Sequence, residues 1–162
     1  MTARPSHRQT IELERYEAKY LVEPSQLSDI REFIAPFCEP DSHASGALPE
    51  YVVTTLQLDT PDLALYYAKE REALARFKLR IRTYGLDRRC PVFLEIKRKI
   101  KGVIVKSRAT IPAELWDRDL VMAPGRWVPF RTAQEEMNYL NFVRLVREIG
   151  ARPVQHLEML AH

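Results

Sequence analysis

The sequence has few of the residues and segments that mark several common classes of protein. Its two cysteines, Cys38 and Cys90, are too few for a metal or disulfide framework. No apolar run approaches the roughly 20 residues that a membrane-spanning helix needs. The first ten residues contain no apolar segment of the kind found in secretory signals. We therefore expect a protein of a reducing compartment, cytoplasmic and without a membrane segment.

Histidine and glycine are also scarce, with four and five residues. The histidines stand far apart, at positions 7, 43, 156 and 162, and show neither metal-binding nor catalytic spacing. No glycine-rich phosphate loop and no dinucleotide fingerprint is present, which excludes the best-known nucleotide-binding motifs. Tyr66-Tyr67, Trp116 and Trp127 could stack on a nucleobase, but packing in the core is the default for such residues.

The 162 residues, 46% hydrophobic and 29% charged, are typical of one soluble globular domain. We expect a disordered leader over residues 1–10 and a domain over residues 11–162. Thr132 and Glu135 form a capping-box pattern that opens the strongest predicted helix. In the first half of the chain we predict a strand at 11–22, a helix from Pro24 to Phe37, a loop at 39–50, a strand at 51–58, a turn at 59–62 and a short helix at 63–70. Basic strands follow at 76–84, 93–101 and 103–111, and then a loop with helical turns at 116–130. The helix at 132–149 has the apolar stripe Met137, Leu140, Val143, Val146 and Ile149, and the terminal segment after it begins like a strand and then ends.

Positive charge is concentrated in one part of the chain. Residues 76–108 contain twelve lysines and arginines and two acids, Asp87 and Glu95, a formal charge of +10. The whole chain carries only +3, so the remaining residues sum to −7. Such a local excess indicates a site for an anion.

The cations recur at every second position, which is the period of a strand. In the first basic strand Phe77, Leu79 and Ile81 share the opposite face, so that face is expected to pack on the core. A solvated face usually mixes the two signs of charge, but residues 76–82 contain no acid. The cations predicted to share faces are Arg76, Lys78, Arg80 and Arg82 in the first strand, Lys97, Lys99 and Lys101 with Glu95 in the second, and Lys106 and Arg108 in the third.

The acids among these cations have two interpretations. Glu95 is either a structural counter-ion that holds Lys97 in place or a ligand of a metal ion, and the first is favoured. Glu17, between Arg15 and Lys19, raises the same question. These are the two acids at positions where a divalent ion for phosphoryl transfer could bind.

Five segments together resemble the VTC domain, the catalytic domain of polyphosphate polymerases of the vacuolar transporter chaperone type, in the triphosphate tunnel (CYTH-like) superfamily. The resemblance runs in order from about residue 11 to residue 155. It is carried by E-R-Y-E-A-K-Y-L-V at 14–22, L-Q-L-D-T-P-D-L at 56–63, R-F-K-L-R-I-R-T-Y-G at 76–85, V-F-L-E-I-K-R-K at 92–99 and V-I-V-K-S-R at 103–108.

The resemblance implies a closed tunnel of eight antiparallel strands with helices outside and basic side chains inside. It further implies transfer of the γ-phosphate of ATP to a polyphosphate chain, aided by a divalent metal, Mn²⁺ or Mg²⁺. Its partners would be ATP and polyphosphate or tripolyphosphate. By resemblance the phosphate-binding residues are Lys19, Arg80, Arg82, Lys97 and Lys106, with Lys78 and Arg108 assisting, and the catalytic ones are Arg80, Arg82, Lys97 and Lys106.

The family domain continues beyond the helix at 132–149 with more strands, basic residues and the acidic metal ligand. We therefore expect an α+β chain whose curved antiparallel sheet is the N-terminal half of the tunnel. The metal ligands stay unknown, and whether the chain is active alone stays open. A second chain or self-association would complete the tunnel.

Three other functions stay open at this point. The first is hydrolysis of tripolyphosphate or an organic triphosphate on the same fold, and the second is a polyphosphate-binding module without catalysis. Nucleic-acid binding ranks last, because no aromatic residue is expected among the basic face residues to stack on bases.

Overall fold

Five antiparallel strands carry the fold in the computed structural model, which describes residues 20–39, 50–85, 87–122, 125 and 127–161. The strands follow the predicted positions closely, and a short helix, α2, connects the first two of them. The elements are α1 (Leu27–Ile34), β1 (Tyr51–Asp59), α2 (Ala64–Glu70), β2 (Ala75–Tyr84), β3 (Val92–Ile100), β4 (Val103–Ile111), α3 (Asp119–Met122), α4 (Ala133–Glu148) and β5 (Arg152–Ala161), with 3₁₀ turns at Pro24–Gln26 and Ala113–Leu115.

The strands form one sheet in the order β4-β3-β2-β1-β5. The predicted hairpin between β3 and β4 turns at Lys101 and Gly102, whose φ angles are 48° and 92°. Two successive positive φ angles suit the right-handed twist of paired strands. The terminal segment forms a longer strand than expected, since β5 runs to Ala161 and pairs with β1 from Asp59 to Tyr51.

The core lies on one side of this sheet, as the apolar alternation predicts. Leu79 and Ile81 of β2 and Leu94 and Ile96 of β3 are buried there. They pack against α3 and α4 in a single cluster that also includes Phe142. Burial of this face fixes the register, because a slip of one residue would turn every cation toward the core.

Helix α4 begins as predicted but buries a different face. The Thr132 hydroxyl accepts a hydrogen bond from the Glu135 backbone N–H at 3.1 Å. The Glu135 carboxylate accepts from the Thr110 N–H instead and so ties the helix to β4. The predicted stripe is wrong in its first half, because Met137 and Leu140 are 53% and 50% exposed. The buried residues of the helix are Tyr139, Phe142, Val143 and Val146.

The α+β class, with an antiparallel sheet and outer helices, is confirmed. The strands that the structure describes form an open sheet with β4 and β5 at its edges. The predicted leader, Lys19, and all but the end of the strand at 11–22 lie outside the described residues. Among the helices of the described ranges, none is long and apolar enough to cross a membrane.

Candidate functional site

The side of the sheet opposite the core carries a continuous layer of cations, which we call the basic face. Strand register sets basic residues opposite one another, with Lys78 facing Lys97 and Lys97 facing Lys106. The arrangement gathers six of the seven predicted phosphate-binding residues on one surface. The basic face consists of Arg76, Lys78, Arg80 and Arg82 of β2, Lys97 and Lys99 of β3 and Lys106 and Arg108 of β4, with Glu95 among them.

Glu95 lies at the centre of the basic face, and its side chain is fully buried. Its Oε2 accepts a hydrogen bond from Arg80 Nε at 2.6 Å. Its Oε1 accepts from Arg108 Nε at 2.9 Å and from Arg108 Nη2 at 2.6 Å. Lys106 Nζ lies 3.1 Å from Oε1, and Arg82 Nη1 lies 3.9 Å from Oε2. One carboxylate therefore organises four cations from two flanking strands.

The protonation of Glu95 follows from this surrounding charge. Burial on its own raises the pKa of a carboxyl group, because it disfavours the charged form. Arg80, Lys106 and Arg108 outweigh that effect and lower the pKa of Glu95 from 4.5 to about 2. Glu95 is thus a carboxylate at neutral pH and acts as a counter-ion, with Arg80, Lys106 and Arg108 as its partners, whereas the prediction had named Lys97.

Two of the arginines have further partners that fix their direction. Arg82 Nε donates to the Thr55 hydroxyl at 3.0 Å, across from it on β1. Arg108 Nη2 donates to the Tyr84 hydroxyl at 2.8 Å. Its guanidinium also lies 4.6 Å from the centre of the Phe93 ring, a cation–π geometry. Such contacts hold a guanidinium in place before any ligand arrives.

The aromatic residues correct one prediction. Tyr84 and Phe93 lie on the basic face among its cations, although none was expected there. Their rings contact each other with centres 5.3 Å apart, and Phe93 is buried. They support Arg108 in this arrangement and do not form an open stacking surface.

Part of the basic face forms a cleft of about 300 Å³. Its walls combine residues from β2, β3 and β4 with Lys69 of helix α2, and Lys69 is ion-paired with Glu70. A concave surface with this density of positive charge concentrates anions. The lining cations are Lys69, Arg76, Lys78, Arg80, Lys97 and Lys99.

The geometry can be compared with known families. A family model described as the VTC domain matches residues 14–156, most of the chain. The chain belongs to the VTC domain family. A comparison with curated proteins found no significant match. Membership in this family connects the chain with polyphosphate, and it confirms the resemblance carried by the five segments.

Sequence reasoning missed several residues of this VTC domain. Lys69 is on a helix, so the alternation of strands could not reveal it. Thr55 gives no signal by itself and is found only through its register opposite Arg82. Asp59 was predicted as part of a turn but is the last residue of β1, and its buried carboxylate accepts hydrogen bonds from the Leu65 and Tyr66 N–H groups and so anchors α2.

The described residues contain no cluster of ligands for the divalent cation that the family implies. No group of three or more histidine, cysteine or acidic side chains occurs there. Glu95 is engaged by cations on every oxygen, which is the wrong surrounding for a positive metal ion. Glu17, the other candidate, lies outside the described residues. A Mn²⁺ or Mg²⁺ requirement therefore stays a prediction from the resemblance.

Proposed function

We propose that this VTC domain binds the phosphates of ATP and polyphosphate on its basic face and transfers the γ-phosphate of ATP to the polyphosphate chain. One observation carries the proposal: eight cations of β2, β3 and β4 share a folded surface, and Glu95 is the one acid that these three strands contain. Glu95 neutralises one of those charges, so a large positive excess is left for a ligand. A linear polyanion with several charges is the chemical class that matches it.

The proposed chemistry requires little of the protein beyond positioning and charge. A phosphoryl group in transfer spreads negative charge over its oxygens, and enzymes accelerate the step mainly by stabilising that charge. Arg80 and Arg82 would offer planar guanidinium groups that bind two phosphate oxygens at once. Lys97 and Lys106 would supply point charges, and Lys78 and Arg108 would assist.

The contacts of Glu95 support this assignment in a second way. Cations that are already fixed lose less conformational freedom when a ligand binds. Arg80 and Arg108 are fixed by hydrogen bonds to Glu95, and their side chains are still 18% and 34% exposed. They are therefore ordered and accessible at the same time, which is what a phosphate site needs.

Calorimetric titration with tripolyphosphate, with and without Mn²⁺, tests the binding step. We expect binding that weakens with salt, and a loss of about ten- to a hundredfold in affinity for each of the variants Arg80→Ala and Arg82→Ala, because a charged hydrogen bond contributes about 1.5–3 kcal/mol. Arg98→Ala is the matched control, since Arg98 is on the opposite side of β3 with Ser107 as a partner. Equal affinity of all three variants and the parent would refute the basic face as the site.

The products distinguish transfer from the other functions on the same face. Incubation with ATP and a short polyphosphate should lengthen the polymer if the proposal is correct. Release of orthophosphate without lengthening would indicate a hydrolase. Binding without turnover at any metal concentration would indicate a binding module, and tight binding of oligonucleotides in preference to tripolyphosphate would indicate a nucleic-acid site.

A further inference from the structure

A second pocket of about 430 Å³ opens directly beside the basic cleft. It lies where helix α2 meets the ends of β1 and β5. Lys69 and Lys78 line both cavities, so the two adjoin each other. The volume is in the range of pockets that bind small organic molecules, roughly 300–1,000 Å³.

The second pocket differs from the basic cleft in the chemistry of its walls. Leu63, Tyr66 and Val154 line it, and they are 36%, 51% and 43% exposed. Scattered exposed apolar residues are ordinary, but three that converge on one cavity indicate a binding surface. Cavities of this kind usually take the apolar or aromatic part of a ligand.

Irregular backbone brings two of these residues to the pocket. The pairing of β1 with β5 shifts between Gln57 and Leu58, which face Gln155 and Pro153, so Val154 has no partner across the strands. A bulge of this type redirects a side chain. Leu63 has a left-handed backbone with a φ of 58°, which is unfavourable for a branched residue. Such strained positions concentrate at functional sites.

Polar groups in the pocket suit an uncharged heterocycle better than a further anion. Gln57 and Gln155 are register partners, and both line the pocket. A primary amide donates and accepts hydrogen bonds, which is the pattern that a nucleobase edge presents. The Asp59 carboxylate also lines it, but it accepts hydrogen bonds from the backbone of Thr60, Leu65 and Tyr66.

We infer that this second pocket binds the nucleoside part of a nucleoside triphosphate whose phosphates lie on the basic face, with the Tyr66 ring as the stacking surface. The inference rests on the proposed function, because it assumes that the neighbouring cations hold the phosphates. Lys69 and Lys78 then mark the boundary between the two parts of the ligand.

The experiment compares two ligands that share a triphosphate, ATP and tripolyphosphate, in calorimetric titrations of the full chain. Tyr66→Ala should weaken ATP binding about tenfold, the equivalent of about 1.4 kcal/mol, and leave tripolyphosphate binding within about twofold. Tyr20→Ala is the matched control, because Tyr20 is 83% exposed and lines neither cavity, whereas the neighbouring Tyr67 ring packs against the Tyr66 ring. Val154→Ala, on the opposite wall, should also weaken ATP alone.

The outcomes separate this inference from the proposed function. If tripolyphosphate binds through Arg80 but neither Tyr66→Ala nor Val154→Ala selectively weakens ATP binding, the nucleoside pocket is refuted and the basic face stands. If tripolyphosphate does not bind to the folded parent chain, the proposed function and the inference fail together. A selective loss for ATP in both variants, with Tyr20→Ala unchanged, supports the pocket.

Discussion

Replacing Glu95 with glutamine removes the charge that holds the basic face together while keeping the shape of the side chain. We expect Glu95→Gln to destabilise the folded chain and to increase its affinity for tripolyphosphate, because the gain of one net positive charge outweighs the looser positions of Arg80 and Arg108. Both effects have one cause. Without the carboxylate, Arg80, Arg82, Lys106 and Arg108 repel one another across distances that Glu95 now bridges.

The magnitude follows from the pKa of Glu95, which falls from 4.5 to about 2 on folding. At about 1.4 kcal/mol per pKa unit, the folded surroundings favour the charged form by about 3 kcal/mol. Breaking a buried ion pair by removing one partner costs about 3–5 kcal/mol. The lower end applies here, because the partner cations are partly exposed and water can hydrate them, Lys106 being 42% exposed. For a domain of this size about 3 kcal/mol corresponds to roughly 6–12 °C in Tm.

Urea unfolding followed by circular dichroism, at pH values from 7 to 2.5, measures the loss directly. Because the pKa of Glu95 is depressed in the folded state, its contribution is complete above pH 4.5 and disappears as the pH falls toward 2. The free energy of unfolding of the parent should therefore approach that of Glu95→Gln in acid. Saturating tripolyphosphate should restore much of the stability of the variant at pH 7, since the ligand replaces the missing negative charge.

The control is Asp87→Asn, which breaks the exposed pair between Asp87 and Arg89. Surface pairs contribute about 0–1 kcal/mol, so this variant should stay close to the parent. If Glu95→Gln were as stable as Asp87→Asn at pH 7, and lost stability in acid as steeply as the parent, the role of Glu95 as the organising counter-ion would be wrong.

Four further substitutions test the fold. Phe142→Ala should lower the free energy of unfolding by about 3–5 kcal/mol, because it opens a cavity in the core. Leu140→Ala, on the exposed side of α4, should lower it by under about 1 kcal/mol. Equal losses would contradict the assignment of the buried face of α4. Asp59→Ala should lower the free energy of unfolding by about 1–2 kcal/mol, as for the loss of a capping acceptor, and should speed hydrogen exchange of the α2 amides. Unchanged exchange would refute the role of Asp59 as the anchor of α2. Gly102→Ala should lower the unfolding free energy by about 1 kcal/mol through its φ of 92° alone, and an unchanged Tm would argue against the β3–β4 turn.

The strands and the composition of the basic face could be predicted from the sequence because alternation is a local property. Phe77, Leu79 and Ile81 must all face the core, and that requirement sends Arg76, Lys78 and Arg80 to the other side. A single period therefore fixes both the fold of the strand and the direction of its cations.

Features that depend on contacts between distant segments could not be predicted. The buried side of α4 is set by the position of β4 relative to the helix. Whether Leu140 or Phe142 is buried therefore depends on tertiary packing and not on the local sequence. Tyr84 and Phe93 join the cations only through pairing across strands. The second pocket needs a helix, the end of β1 and a bulge in β5, and no motif in the sequence connects them.

The order of the strands has a consequence for how the two cavities form during folding. The cations of the basic face come from residues 75–111, a contiguous meander whose neighbours along the chain are neighbours in the sheet. Strand β5, by contrast, pairs Ala161 with Tyr51 across most of the described chain. Local contacts close at a smaller entropic cost, so we expect the meander to assemble early and β5 to dock late. The cationic surface would then exist before Val154 and Gln155 arrive, and a polyanion present during folding could act as a template for it.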